Sequence, residues 1–192
     1  MNWTAPLHKF YDENRTFLVF VFRFVLSFIL MRAAYEIYLH FTEKIGSLDM
    51  VTYGVSYSTH TVARWFGVAN CEFSCFMDGC AVGVPGNGVN IIEGCNGLNL
   101  AIVYAAYIFG VDGATWRAFA HMVFGFFVIQ AFNVARIAAL IVLLEQGGNF
   151  YFFFIKNIFF TIIYGAIVVL WLLKPWIDRW LFFQKKSDAQ RA

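Results

Sequence analysis

Charged residues and proline are scarce in this chain. Of its 192 residues, 14% are charged and only 3 are proline, whereas 60% are hydrophobic and 24 are phenylalanine. A soluble domain of this size usually carries about a quarter charged residues. The composition therefore excludes an ordinary soluble domain. It predicts an integral membrane protein in which residues 1–192 form a single membrane domain.

We also expect no cleavable signal peptide in this sequence. The first fifteen residues contain Lys9, Asp12, Glu13 and Arg15, and no small-residue cleavage site follows the first apolar run. A signal peptide needs both an apolar core and such a site. We therefore expect the first apolar run to remain in the protein as a membrane anchor.

Four apolar segments predict a bundle of about four transmembrane helices. They cover residues 16–39, 98–111, 116–144 and 152–173, and a span takes about 20 mostly apolar residues. Residues 48–68 are richer in Ser, Thr and Tyr, which predicts an amphipathic helix packed at the outer surface. The expected fold is thus all-α, with one exception in the segment that follows.

That exception is a small β-hairpin. The sequence Val84-Pro85-Gly86-Asn87-Gly88 contains Asn-Gly, the strongest short signal for a hairpin turn, and apolar residues flank it on both sides. We expect the hairpin to lead directly into Cys95.

The basic residues predict the orientation of the bundle. With a cytoplasmic N-terminus, four spans leave only Lys44 and Arg64 clearly outside, and lysine and arginine are enriched in cytoplasmic loops. The residues then inside are Lys9, Arg15, Arg117, Lys174, Arg179, Lys185, Lys186 and Arg191. We expect both termini to be cytoplasmic, with a tail at about 178–192. The region at about 40–94, and Cys95 after it, should lie outside.

The stretch Glu93-Gly94-Cys95-Asn96-Gly97-Leu98 lies where the polar segment meets the second apolar span. It predicts a cysteine at the mouth of a helix, where free N–H groups and the macrodipole favour an anion. A thiol there should ionise more readily, and the thiolate is the nucleophile. The alternative is a small buried residue at a helix end, which is a common place for a free cysteine.

Asn133 and Arg136 lie three residues apart and should share one face of the helix predicted for residues 116–144. An arginine inside a span is expensive and by default marks a functional site. Its expected partner is the Cys95 thiolate, or an oxyanion formed on the substrate of that thiolate. The alternative is that Arg136 binds loop carbonyls or extends outward to the membrane surface.

Three short motifs resemble the exosortase/archaeosortase family, and most closely its XrtF-like branch. They cover about residues 48–176 and are Glu93-Gly94-Cys95-Asn96-Gly97-Leu98, Asn133-Val134-Ala135-Arg136-Ile137, and Ile163-Tyr164-Gly165 followed by Leu170-Trp171. Family members are multi-pass membrane enzymes, regarded as transpeptidase-like processors of C-terminal sorting signals on exported proteins.

The resemblance implies specific roles for residues of this chain. Cys95 would be the nucleophile and Arg136 would stabilise the tetrahedral oxyanion. The supporting residues would be Glu93, Asn96, Gly97 and Asn133. It further implies a location in the bacterial inner membrane with the site on the extracytoplasmic side. The partners would be membrane lipid, a tail-anchored exported protein substrate and other membrane subunits.

The family also carries a histidine or arginine after the second motif, and this sequence departs from that pattern. Neither residue type occurs between Arg136 and Arg179. Lys156 lies in that window and could supply a positive charge or, if desolvated, a base. His60, from a different helix, is the other candidate. The gap leaves a second hypothesis open, a catalytically silent relative that acts as a scaffold subunit of an envelope complex.

The other cysteines predict one disulfide among Cys71, Cys75 and Cys80, with Cys95 free, because disulfides persist outside the cell. Four cysteines on one face also suggest a thiol oxidoreductase, although no Cys-x-x-Cys motif is present. The cysteine spacing matches no zinc pattern. We expect no metal, no cofactor and no nucleic-acid partner.

Overall fold

The computed structural model describes residues 4–146, 164, 165, 167–177 and 179, with side chains from residue 13 onward. These residues are mostly helical and include one three-stranded sheet. The helices are α1 (Thr4–Ile45), α2 (Met50–Trp65), α3 (Leu98–Asp112), α4 (Trp116–Glu145) and α5 (Ile167–Ile177).

Two of the helices are long and apolar enough to cross a membrane. They are the Glu13–Ile45 part of α1 and the whole of α4, whereas α3 and α5 are shorter apolar helices. The predicted helical architecture is confirmed at this level. Much of the segment predicted as the last span, residues 152–173, lies outside the residues that the structure describes.

Helix α1 is longer than the predicted first span. It runs without interruption from Thr4 to Ile45, because no proline or glycine occurs between Leu7 and Ile45 to stop it. It ends at Gly46, whose φ is +71°. The N–H groups of Gly46 and Ser47 bond back to the carbonyls of Glu43 and Thr42, both at 2.9 Å, as in a Schellman cap.

The predicted hairpin is part of a larger antiparallel sheet. Strands β1 (Glu72–Phe76), β2 (Gly79–Val84) and β3 (Asn87–Ile91) pair in the order β1-β2-β3. The β2–β3 hairpin was expected, whereas β1 was not.

The turn between β2 and β3 lies two residues earlier than the Asn-Gly signal suggested. Val84 pairs with Asn87, so Pro85 and Gly86 form the turn, and Gly86 has a φ of +83°. Proline followed by a glycine with positive φ is the type II pattern.

Gly88 lies in β3, opposite Gly83 of β2. A Cβ added at Gly83 would lie 2.4 Å from the Gly88 Cα. The glycine of the Asn-Gly pair therefore serves close strand contact rather than the turn.

The described residues form two hydrophobic clusters, and Cys95 packs against the first of them. The first joins α2 and the sheet to the C-terminal half of α4, through Val55, Ala63, Val68, Val82, Ile91, Ile137, Ala138 and Ile141. The second joins α3 and the N-terminal half of α4 to α5, through Ala101, Tyr104, Ile108, Ala118, Ile129, Ile167 and Leu170. Helix α4 contributes to both clusters, so it connects the sheet side of the protein to the α3–α5 side.

Candidate active site

Cys95 lies outside the helix that it was predicted to begin. It is the last residue of a 3-10 turn, Glu93–Cys95, and α3 begins at Leu98. The intervening Gly97 is the N-cap of α3, with a φ of +77°. The left-handed backbone at Gly97 separates the turn from the helix, and the Cys95 thiol is free and half-buried.

The two residues expected to carry the chemistry are in contact. The side chains of Arg136 and Cys95 lie close enough to interact with each other, through charge and as hydrogen-bond partners. Arg136 is buried in α4, with 8% of its surface exposed. The contact places a fixed positive charge beside the sulfur, and therefore beside any oxyanion formed on a carbonyl that the sulfur attacks.

Asn133 holds the same turn from the neighbouring position on α4. Its Nδ2 donates to the Cys95 carbonyl at 2.9 Å, and its side chain is buried. A Cβ at Gly97 would lie 3.1 Å from Asn133 Nδ2 and 3.1 Å from Gln130 Oε1. Gly97 is therefore required both for its positive φ and for the close approach of this turn to α4.

Asn96 connects the turn to α1 and to the start of α2. Its side chain is fully buried. Its Nδ2 lies 3.0 Å from the hydroxyl of Tyr35, and 3.1 Å from both Asp49 Oδ2 and Thr52 Oγ1. Its Oδ1 accepts from the N–H of Leu98 at 2.9 Å. We call Tyr35, Asp49, Thr52 and Asn96 the Asn96 cluster.

Sequence reasoning identified Asn96 but missed the other three members of this cluster, of which Asp49 is the acidic one. It is 2% exposed and caps α2, accepting from the N–H groups of Val51 at 3.2 Å and Thr52 at 2.9 Å. An aspartate just before a helical pattern is an N-cap signal. That signal could have identified its capping role, but not its bond to Asn96.

The two candidates for the third catalytic residue are not shown beside Cys95. His60 Nε2 lies 3.1 Å from the carbonyl oxygen of Cys71, and its ring centroid is 5.7 Å from that of Phe73. These contacts place His60 against the start of the sheet. Lys156 lies outside the residues that the structure describes.

The remaining cysteines divide into a disulfide and a free thiol. Cys75 and Cys80 are directly opposite each other in β1 and β2 and are bonded. Cys71 is free. Burial raises the pKa of the Cys71 thiol, and a backbone hydrogen bond with Gly83 only partly offsets that effect.

Glu93 borders a cleft of about 850 Å³, which we call the Glu93 cleft. Partial burial raises the pKa of the Glu93 carboxyl, and repulsion from Asp49, Glu36 and Glu43 raises it further. The cleft is enclosed by the C-terminal end of α1, the β1–β2 turn and residues 92–94.

No metal site is formed by the described part of the chain. Within it, no three His, Cys, Asp or Glu side chains converge in a way that could hold a metal ion.

Comparison with known protein families, with curated proteins and with solved structures finds no match to this chain. Inference about its function therefore depends on the motifs and on the geometry around Cys95.

Proposed function

We propose that this protein is a membrane-embedded cysteine transpeptidase or protease of the exosortase type, which processes C-terminal sorting signals of exported proteins. The observation that carries the proposal is the side-chain contact between Arg136 and Cys95. It joins the first and second family-like motifs, which are far apart in the sequence. A buried arginine on a free thiol is the arrangement that this chemistry requires.

The reaction begins when the Cys95 thiolate attacks a peptide carbonyl. Arg136 stabilises the tetrahedral oxyanion, since a preorganised positive charge is most effective in a site that excludes water. The C–N bond then breaks, which leaves an acyl group on Cys95 and releases the amine. An acceptor amine completes transpeptidation, or water completes hydrolysis. The proton lost by the thiol is returned to the departing amine, and Lys156 is the proposed carrier, with His60 as the alternative.

The proposed location is the bacterial inner membrane, crossed by about four helices, with both termini in the cytoplasm. The two helices of membrane-spanning length support it, as does the excess of basic residues at the chain ends. The Cys75–Cys80 disulfide supports an extracytoplasmic position for the sheet, because such bonds persist in oxidising compartments. The expected partners are lipid, a tail-anchored exported substrate and other membrane subunits.

A scaffold role is the second candidate, and one observation favours it. The window between Arg136 and Arg179 contains no histidine or arginine, although the family carries one there. A subunit that had lost catalysis could keep Cys95 and Arg136 for packing alone.

Loss of processing in Cys95 and Arg136 variants tests the enzyme proposal. The mature C-termini of exported tail-anchored proteins are measured by mass spectrometry in cells that express each variant. Cys95→Ala should abolish processing, and Arg136→Ala should reduce it about 10²–10³-fold, as for loss of an oxyanion donor. Arg136→Lys should be nearly as damaging, because lysine lacks the planar fork. Cys71→Ala is the matched control, since Cys71 is the other free thiol.

Wild-type processing by both the Cys95 and the Arg136 variants would leave the scaffold role as the better account. Lys156→Ala and His60→Ala then identify the proton carrier, because removing that carrier should lower the processing rate about a hundredfold.

Orientation is tested in a Cys71→Ala background with a membrane-impermeant thiol reagent. Labelling of Cys95 only after permeabilisation contradicts an extracytoplasmic site.

A further inference from the structure

The Glu93 cleft opens directly beside the turn that carries the proposed nucleophile. Glu93 and Gly94 lie in its wall, and Cys95 is the next residue. Its volume of about 850 Å³ falls within the range of ligand pockets, about 300–1,000 Å³. At the far end of the cleft, a Cβ at Gly46 would lie 3.8 Å from Met77 Sδ. Helix α1 and the β1–β2 turn therefore approach each other there.

The length of the cleft suits an extended peptide. Its α1 wall runs from Glu36 to Gly46, a distance of about 15 Å at 1.5 Å rise per residue. An extended chain advances about 3.3 Å per residue, so about four or five residues would fit along this wall.

The charge of the cleft is strongly negative. Glu36, Glu43, Asp78 and Glu93 all line it, and within the described residues only Glu36 has an ion pair, with Arg32. The only other ionisable side chain of the lining is His40. Repulsion from Glu36 and Glu43 contributes to the raised pKa of Glu93, so these three carboxylates act on one another. A cationic ligand would relieve that repulsion.

The apolar part of the lining distinguishes a peptide from a bare cation. Leu39, Met77 and Ile92 also line the cleft, and Met77 is 76% exposed. The carboxylates are spread along the walls, and no three acidic or histidine side chains in the described ranges converge on a point where a metal ion could bind. Alternating apolar and acidic positions match a polypeptide that carries lysine or arginine among apolar residues.

We propose that the Glu93 cleft binds a short, extended, lysine- or arginine-containing segment of the substrate and presents the adjoining peptide bond to Cys95. The position of that peptide bond rests on the proposed function, whereas binding of the cationic segment does not require any reaction.

Direct binding tests the inference with full-length protein in phosphatidylcholine nanodiscs. Two fluorescein-labelled hexapeptides are compared by anisotropy. They share three apolar residues and differ only in carrying three lysines or three glutamines. Wild-type protein and Cys95→Ala should bind the lysine peptide equally and more tightly than the glutamine peptide. Raising NaCl from about 50 to about 500 mM should weaken that binding, since exposed charges are screened.

The triple variant Glu43→Gln/Asp78→Asn/Glu93→Gln should bind the lysine peptide about tenfold more weakly, since each exposed ion pair changes affinity by a factor of about 1.5 to 5. Glu72→Gln is the matched control, an exposed carboxylate of β1 outside the cleft. It should stay within about twofold of wild type. A cooperative unfolding transition in SDS, followed by tryptophan fluorescence, shows that each variant has folded.

Two results would overturn the inference. The first is a loss of discrimination. Either wild-type protein binds the lysine and glutamine peptides equally well, or the triple variant binds the lysine peptide as tightly as wild type does. The second is binding of Ca²⁺, measured by calorimetry, that is lost in the triple variant while the wild-type protein does not bind the lysine peptide. That result would make the cleft a cation site. Neither result bears on the processing assay, so failure of the cleft and failure of the enzyme proposal are distinguishable.

Discussion

Replacing Asn96 by alanine should destabilise the protein more than any other single polar substitution near the turn. Asn96 is fully buried and joins α1, the start of α2 and the start of α3 through one amide. Removing it leaves Tyr35 and Asp49 without the donor that they share. Water cannot easily replace that donor at a buried position.

The size of the effect follows from the hydrogen bonds of the side chain. The amide nitrogen has two hydrogens to donate, and its oxygen accepts one bond from Leu98. Neutral hydrogen bonds contribute about 1 kcal/mol each, and those to charged groups about 1.5–3 kcal/mol. With Asp49 as one acceptor, the loss should be about 3–5 kcal/mol. Asn96→Asp should cost at least as much, since it places a second carboxylate against Asp49.

The free energy of unfolding can be measured by titrating detergent-solubilised protein with SDS while following tryptophan fluorescence. Asn99→Ala is the matched control, at a position three residues later in the first turn of α3. Asn99 is exposed and accepts from Arg32 at 2.6 Å, so its loss should cost under about 1 kcal/mol. If the Asn96 and Asn99 variants unfold at the same SDS concentration, the Asn96 cluster does not hold these helices together.

Three further predictions concern packing and titration. Gly125→Ala should cost about 1–3 kcal/mol by the same titration, because a Cβ there would lie 1.9 Å from the Tyr104 ring. Gly54→Ala, with open space around it, should cost nothing, and an equal loss in both variants would contradict the packing. The raised pKa of Cys71 should make its alkylation slow at pH 8 and much faster near pH 10. Peptide mass spectrometry measures the alkylation rate, and a rate at pH 8 equal to that of free cysteine would contradict the raised pKa. The pKa of Glu93 in the folded protein is raised above 4.5. The stability that protonated Glu93 contributes is therefore complete below pH 4.5 and is lost as the pH rises through the pKa of the folded state. Glu93→Gln should stabilise the protein at pH 7 but not at pH 4, and equal stability of variant and wild type at pH 7 would refute this prediction.

Much of the helical architecture was predictable because it depends on short-range patterns. Long apolar runs indicated α1, α3 and α4, and a spacing of three residues placed Asn133 and Arg136 on one face of α4. The Ser, Thr and Tyr content of residues 48–68 indicated that α2 is amphipathic. These patterns repeat within a few residues, so the sequence alone contains them.

The details of the turns were less predictable. Asn87-Gly88 gave a strong turn signal, but Pro85-Gly86 satisfied the turn first and left the Asn-Gly pair in β3. In the same way, the apolar run after Cys95 suggested that the helix begins at the cysteine. The left-handed backbone of Gly97 delays α3 to Leu98, and its cause is contact with α4, which lies far away in the sequence.

The contacts of Asn96 could not have been read from any local pattern. Tyr35 and Asp49 are 61 and 47 residues away from it. No periodicity relates positions on three separate helices, and a buried polar side chain finds its partners only once those helices have packed. The contact of Arg136 with Cys95 was predictable for a different reason, because a charge in an apolar helix requires a partner and the thiol was a candidate at a suitable depth.

The 3-10 turn places two opposite electrostatic environments within a few ångströms of each other. Glu93 lines the negatively charged cleft, whereas Cys95, two residues later, contacts buried Arg136. A 3-10 segment rises about 2 Å per residue, so these environments are separated by roughly 4 Å along the chain. A cationic segment held in the cleft and a carbonyl oxygen drawn toward Arg136 therefore suit one extended peptide that crosses the turn. Because different residues serve the two proposed interactions, neutralising the cleft should weaken peptide binding and leave the proposed nucleophile in place. Replacing Cys95 should remove that proposed nucleophile without weakening peptide binding.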